Sequence, residues 1–374
     1  MAKNKKVRKF SKFANNQMDF ILLITVILLL SLGLIMVLSA SSPTSLSETG
    51  DDSYVYFKKQ ATFAVIGVAA MLFISKIDYR FWKKFYKIAY IASIILLLMV
   101  LIPGIGRSAG GARRWINLGI QFQPSELAKI GLIIFYASYL TDHKDELKDF
   151  KKGFVKPLLY LIPVVLILIL VLVVGIMMLM AGVRPKYFAT VGTGVAVAGA
   201  AGLYAMAKFT SKGAFRIARI TSFLNPWADK QGDGWQVIQS LYAIGSGGLF
   251  GVGLGQSKQK YLYISEPHTD FIFAVLAEEL GFVGCAIVIG LFGIFIWRGV
   301  LAAMKAPDMF GSLVAVGITS LIGLQAIINI AVVTSSMPVT GMPLPFFSYG
   351  VTSLLILLCS VGVLLNISRA GTKV

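Results

Sequence analysis

An all-α, polytopic membrane bundle follows from three features of this chain. Of its 374 residues, 57% are hydrophobic and only 14% are charged, against roughly 45–50% and 25% in a soluble domain. Uncharged apolar runs long enough to cross a hydrocarbon core of about 30 Å recur along it, so the spans are helices and not barrel strands. The basic residues gather in the short stretches between those runs, where they set orientation.

The net charge of +18 comes from 35 Lys and Arg against 17 Asp and Glu. In a soluble protein such an excess would suggest nucleic acid. Here it flanks membrane spans and meets anionic lipid, and no aromatic-basic interleaving accompanies it, so membrane lipids are expected partners and nucleic acid is not. Cys285 and Cys359 both lie within apolar runs, and His143 and His268 are the only histidines. A disulfide framework and a Cys/His metal cage are thereby excluded.

Taken in order, residues 1–18 hold Lys3, Lys5, Lys6, Arg8, Lys9 and Lys12 with no acid before Asp19, which predicts a basic cytoplasmic N-terminus. The run from Phe20 to about Ala40 is long for a signal peptide and more spans follow, so it reads as an uncleaved first helix. The polar stretch 41–60, with Glu48, Asp51 and Asp52, is expected outside. A second span at about 61–75 returns to Lys76, Arg80, Lys83, Lys84 and Lys87. A third at about 88–104 leads out to the loop Gly104–Glu126, and a fourth at about 124–140 leads back to Lys144, Lys148, Lys151, Lys152 and Lys156.

Pro157–Val183 is then an uncharged run of 27 residues, too long for one comfortable span and too short for two. Further spans fall at about 189–207, 271–297, 312–336 and 351–366, nine by direct count. An odd number would put 208–270 inside and the C-terminus outside. One more crossing instead places Arg298, Lys305, Arg369 and Lys373 inside and the chargeless 338–350 outside. A loop of about 60 residues is at the length where the charge rule fades. The expectation is therefore a single transmembrane domain, 1–374, with cytoplasmic ends and a large extracellular loop at 208–270.

Ionisable residues beside or within an apolar span are functional candidates by default, and Tyr263–Gly284, YISEPHTDFIFAVLAEELGFVG, concentrates them: His268, Asp270, Glu278 and Glu279. Asp270 stands where a span begins, as an N-terminal cap would or as a catalytic carboxylate would. Glu278 and Glu279 lie about two turns deeper and need partners, for which Lys129 is one candidate. Gln123-Pro124-Ser125-Glu126 places Pro124 in the first turn of a helix, and Glu126 and Lys129, three apart, share a face on it. That pair reads equally as a structural salt bridge or as the charged floor of a polar cavity. Arg113 and Arg114 beside Trp115 suit phosphate oxygens or the headgroup region with Trp as anchor.

Phe215, Ile217, Ile220 and Phe223 alternate with Arg216 and Arg219 as in a helix lying in the interface. The string GSGGLFGVGLGQSKQK (245–260) holds six glycines and Lys260. Without a βαβ context it fits glycine-mediated packing better than a phosphate cradle. PVTGMPLPFFSYG (338–350), with three prolines and two glycines, reads as a rigid re-entrant segment.

Together GARRWINLG with QPSELAK, FLNPWADKQGDGWQVIQSLYAIGSGGLFGVGLGQSKQK, EPHTDFIFAVLAEELGFVG, and PVTGMPLPFFSYG running into LLNIS cover about residues 104–369. With these motifs the chain resembles the SEDS family of polytopic membrane proteins (shape, elongation, division and sporulation), its FtsW and SpoVE branch somewhat more than RodA. The resemblance implies ten spans with both ends cytoplasmic. It also implies a peptidoglycan glycosyltransferase that polymerises lipid II at the outer face of the cytoplasmic membrane, beside a class B penicillin-binding protein transpeptidase. Asp270 of HTDF is then the catalytic residue, and Glu126 with Lys129 a functionally important pair. Gln123, Lys260, His268 and Glu279 join Arg113, Arg114 and Trp115 as supporting or substrate-binding candidates. Arg, Lys or a divalent cation, Mg or Mn, would hold the substrate pyrophosphate.

Two departures stand out. The Pro-Asp/His-x-Gly/Ala-Thr loop that many members carry between spans five and six has no counterpart in LIPVVLILILVLVVGIMMLMAGVRPK, where the 27-residue run looks like two spans with their junction lost, which would explain the parity problem; and Val351 follows SYG where a second glycine is usual. A precursor transporter and a non-catalytic scaffold for a transpeptidase are the alternative functions.

Overall fold

The structure, a computed structural model, describes residues 18–371 apart from 51, 101, 103–104, 110–111, 118–120, 165–167, 191, 194–222, 224, 229, 231, 233, 262 and 265–266. The interfacial-helix residues Phe215–Ile220 therefore lie outside the described residues, as does the basic N-terminus before Met18. Eleven α-helices carry the described architecture: α1 (Phe20–Thr49), α2 (Val55–Ile74), α3 (Arg80–Lys83), α4 (Tyr86–Met99), α5 (Pro124–Asp142), α6 (Lys156–Leu161), α7 (Leu168–Ala181), α8 (Trp235–Gly247), α9 (Ile272–Lys305), α10 (Met309–Val333) and α11 (Val351–Ala370). Five of them, α1, α2, α9, α10 and α11, are long and apolar enough to cross a membrane, and the chain is a multi-pass membrane protein.

The helices pack side by side, α2 along α11, α4 along α5, and α9 against α1, α8 and α10. Apolar residues face both ways, as membrane helices require: Leu22, Val26 and Leu29 of α1 are fully buried while Ile21, Ile24 and Leu28 are exposed toward lipid. One sheet interrupts the helical pattern. Between α4 and α5, strands β1 (Gly106–Ala109), β2 (Ala112–Asn117) and β3 (Gln121–Phe122) pair antiparallel, with Gly106 opposite Ile116 and Ile116 opposite Phe122. This stretch was expected only as a loop.

Polar contacts sort the two ends of the bundle. At one end Arg298 donates to Asp19 at 2.6 Å, Arg80 to Asp308 at 2.9 Å and Lys83 to Asp142 at 2.8 Å, and Asn366 Oδ1 accepts from the Tyr79 amide. Asp19 also caps α1 by accepting from the Leu22 amide at 3.0 Å. Both described chain ends thus sit at this basic end. The opposite end holds Glu48, Asp52, Lys58, His268 and Tyr349, with Lys58 and Asp52 paired at 2.8 Å.

The run 157–183 is not the single span of the nine-span count. It rises through α6 and a 3-10 turn at Ile162–Val164, then descends through α7. Tyr187 Oη donates to the Lys148 carbonyl at 3.0 Å, and Phe154 packs edge-on against Phe188 at 4.9 Å. The chain is back at the end it left. Its 14-residue descending arm is about 21 Å long at 1.5 Å per residue, short of the roughly 30 Å core. Too short for two full spans, the run still returns as a helical hairpin, so the parity that troubled the direct count is restored.

Two further segments dip between helices. Helix α8 starts where Trp235 Nε1 donates to the Tyr263 carbonyl at 2.8 Å and runs inward to Gly247. The 338–350 segment sinks until the carbonyl of Phe346 lies against Gly33, near the middle of α1, with Phe346 and Phe347 buried. Non-helical backbone at such depth survives only with protein partners for its polar groups.

Candidate functional site

Helix α9 organises the candidate site. Its N-cap is Phe271, without a side-chain cap bond, so Asp270 stands one residue ahead of the cap position. The main chain of Asp270 and of its two predecessors is held by neighbouring segments. The His268 carbonyl accepts from the Tyr349 amide at 2.8 Å. The Thr269 carbonyl accepts from Ser348 Oγ at 2.6 Å, and the Asp270 carbonyl from Asn329 Nδ2 at 2.8 Å. Three consecutive carbonyls are gripped by the 338–350 segment and the last turns of α10, while Asp270 itself remains half-buried.

The grip is itself braced. Ser348 Oγ accepts from the Leu344 amide at 2.7 Å, and Gln60 of α2 donates to the Ser348 carbonyl at 3.3 Å and accepts from the Gly350 amide at 3.2 Å. The prolines and glycines of PVTGMPLPFFSYG thus shape a strap across the start of α9. Phe346 adopts φ +67, a left-handed conformation uncommon for a non-glycine residue, where the strap turns.

His268 is 6% exposed, its ring 4.9 Å from that of Tyr56 and 5.7 Å from that of Tyr349. Burial pushes its pKa down to about 4 against the opposing pull of the Glu48 carboxylate. The imidazole is therefore neutral at pH 7, a wedge and not a cation for phosphate. Burial likewise raises the Tyr349 phenol above its ordinary value, with Glu48 adding to it.

Deeper along α9, Glu279 finds its partner in Lys260 and not in Lys129. Lys260 Nζ donates to Glu279 Oε1 at 3.0 Å, to Ser39 Oγ at 3.0 Å and to the Gly255 carbonyl at 2.7 Å, and the paired side chains are 4% and 0% exposed. Glu278 accepts from Ser257 Oγ and from the amides of Lys258 and Gln259 at 3.0 and 3.3 Å. Here α9 breaks at Gly281, φ 65 and ψ −165. The freed groups are taken up by the glycine string: the amides of Val252 and Gly253 donate to the carbonyls of Glu278 and Glu279, and those of Phe282 and Val283 to the carbonyls of Gly248 and Leu249. A Cβ on Gly247, Gly251 or Gly281 would overlap this facing backbone. Glycine-mediated packing is what the string provides.

Lys129 pairs with Glu126 at 2.7 Å in the first turns of α5, with side chains 5% and 13% exposed. Gln123 is the N-cap of that helix, without a side-chain cap bond, and Pro124 occupies its first turn. Trp115 is half-buried on β2. Arg113 and Arg114 lie on the same strand, their side chains outside the described residues. The site residues therefore fall into an Asp270 group, a Lys260–Glu279 group and a Glu126–Lys129 group. Asn329, Ser348, Tyr56, Gln60 and Ser39 belong to these groups without having been singled out by sequence. Asn329, a polar residue inside an apolar run, carried a readable signal; the hydroxyls did not.

Comparison with known proteins places the whole chain. The sequence profile of the cell cycle proteins FtsW, RodA and SpoVE matches residues 19–373. Stage V sporulation protein E of Bacillus subtilis strain 168 is 46% identical over 362 residues, covering 94% of this chain and 97% of that protein. FtsW of Geobacter sp. strain M18, named a probable peptidoglycan glycosyltransferase, is 43% identical over 356 residues, 94% and 96% of the two chains. Among solved structures, a chain of a peptidoglycan synthase complex described as coordinating polymerization and crosslinking superposes with a TM-score of 0.76 at 28% identity, covering 94% of this chain and 98% of that one. The rod shape determining protein RodA of Thermus thermophilus gives 0.66 at 27%, covering 95% and 98%. With a matched profile over nearly its full length and relatives above 40% identity, the chain belongs to the FtsW/RodA/SpoVE family.

Proposed function

We propose that this protein is a peptidoglycan glycosyltransferase that polymerises lipid II into glycan strands, with Asp270 as its catalytic base. The observation that carries the residue assignment is the grip on three successive carbonyls, which fixes a half-buried carboxylate at the end of the bundle opposite its basic residues. The activity is supported by the FtsW relatives named peptidoglycan glycosyltransferases at about 40% identity. The positive-inside rule makes the basic end cytoplasmic, so both termini face the cytoplasm of a bacterial cell and Asp270 faces outward, as does the 208–270 loop.

In the reaction the Asp270 carboxylate accepts the proton of the acceptor sugar's hydroxyl as that oxygen attacks the donor's anomeric carbon. The bond to the pyrophosphate breaks and the lipid pyrophosphate leaves, with inversion at that carbon. A good leaving group needs charge neutralisation more than a general acid, so one carboxylate suffices where glycoside hydrolysis uses two. Lys129 and Lys260 are each already paired with a glutamate, which leaves Arg113 and Arg114 of β2 as candidate pyrophosphate ligands. Among the described residues no three His, Cys, Asp or Glu converge into an all-protein metal cage; a Mg or Mn ion on the substrate pyrophosphate, which one or two carboxylates suffice to hold, is still part of the proposal. No step here runs through a metal. The cross-linking partner is a class B penicillin-binding protein, a reading supported by the solved synthase complex.

The deciding experiment incubates purified protein with labelled lipid II and separates the products by gel. Wild type lengthens glycan strands and Asp270→Asn does not; equal polymer from both would remove Asp270 from this role.

A further inference from the structure

Asn329 occupies the last turns of α10, 1% exposed, between Ile328 and Ile330. A leucine there would fill the same space without burying an amide. Its Nδ2 donates to the Asp270 carbonyl and to the Met342 carbonyl, each at 2.8 Å. Its Oδ1 is buried and has no hydrogen-bond partner, a condition that is destabilising and calls for a reason. The two donated bonds supply one: a single amide fastens the main chain of Asp270 and the strap that holds His268 and Thr269 to the same point on α10.

We infer that Asn329 is a positioning residue, which sets the reach of the Asp270 carboxylate by fixing its main chain and touches neither sugar nor pyrophosphate. The inference rests on Asp270 acting as base. The described residues between Lys260 and α9 form no strand or helix, so the carbonyl contacts hold this segment in their place. Losing the Asn329 donor releases the last of the three carbonyls and loosens the strap at Met342 together. A displacement on the order of 1 Å at a reacting group costs about 100-fold in rate. Substrate affinity, which draws on contacts that Asn329 does not make, is untouched.

The test measures lipid II polymerisation by purified protein in detergent, with rates expressed per folded molecule from size exclusion and thermal unfolding. Asn329→Leu is expected to lower kcat about 100-fold with KM within about threefold. A purely structural role would lower the folded fraction and leave kcat per folded molecule at the wild-type value, and that result overturns the inference. Asn329→Asp keeps the side-chain shape and covers the case in which the leucine variant does not fold. Its carboxyl donates one hydrogen when protonated and none when ionised, so its rate relative to wild type must climb as pH falls; a flat ratio overturns the inference too. Asp270→Asn, run alongside, separates the two readings. Polymer from Asp270→Asn sinks the base itself, whereas an inactive Asp270→Asn beside a fully active Asn329→Leu sinks only the positioning role.

Discussion

Two acidic regions lie on the same helix, Asp270 before its first turn and Glu278 with Glu279 about two turns deeper, and the protein treats them in opposite ways. At the deeper site the carboxylates are the objects of the bonding: one amine, two serine hydroxyls and several amides converge on them, and Glu279 is fully buried. At the shallow site three successive carbonyls are held by neighbouring segments, and the acid-bearing residue stays half-buried. A fully buried carboxylate holds architecture together; a half-buried one at the end of the bundle stays within reach of a substrate. Charge within a membrane span marks both for attention, and depth of burial tells them apart.

The largest effect that sharpens this contrast is Asp270→Asn. Losing a general base lowers polymerisation by about 100- to 10,000-fold, while the thermal midpoint in detergent falls by less than that of Lys260→Met, since Asp270 is half-buried and the helix cap is Phe271. A large drop in midpoint would instead make Asp270 a structural residue like its deeper neighbours. Lys260→Met tests the other side. It leaves Glu279 charged, fully buried and without its amine, which costs about 3–5 kcal/mol. Thermal unfolding reads this directly, and an unchanged midpoint would mean that the latch does not hold the glycine string.

The next effect in size is a pH dependence at the shallow site. His268 has a folded-state pKa of about 4 against an unfolded value near 6.5. Because the folded value is depressed, the unfolded state binds more protons between those limits, so stability is full above about pH 6.5 and is lost as pH falls toward 4. The effect is at most about 3 kcal/mol. Wild type should therefore unfold at lower temperature at pH 4.5 than at pH 7.5, and His268→Phe should flatten that difference; a variant with the wild-type slope would move the effect to another group.

How far this contrast was legible in the sequence depended on whether the signal was local. The spans within the described residues, the Glu126–Lys129 pair and the helix beginning at Pro124 follow from spacing along single helices, and the structure forms them; the span expected at about 189–207 lies mostly outside the described residues. Asp270 could be singled out from its place at a span boundary, yet cap and catalyst looked alike until the carbonyl partners were visible. Lys129 is only one candidate for the deep glutamates in the sequence, and Lys260 is the partner of Glu279 in the structure, because pairing between helices is not written in spacing. Lys260 reaches Glu279 only through the break at Gly281, and that break is recognisable only from the loop docked on it. The hairpin at 157–183 escaped direct counting for a similar reason. Hydropathy registers an apolar run but not its reversal, and the contacts of Lys148 with Tyr187 and of Phe154 with Phe188 reveal the turn back.

The smallest effect belongs to Ser39, which joins the first transmembrane helix to the deep acids. Its hydroxyl donates to Glu279 Oε1 at 2.6 Å and accepts from Lys260 Nζ at 3.0 Å. Ser39→Ala removes one hydrogen bond to a charged group and leaves the ion pair standing, a loss of about 1–2 kcal/mol. In the Lys260→Met background the same substitution takes away the remaining side-chain donor to Glu279, so the two changes together should exceed the sum of the single ones. Polymerisation per folded molecule by Ser39→Ala should stay within about twofold of wild type, because nothing at Asp270 moves. Strict additivity would show that Ser39 and Lys260 serve separate structures. A rate loss as large as that of Asp270→Asn would show that the deep acids take part in the chemistry and dissolve the contrast between the two regions.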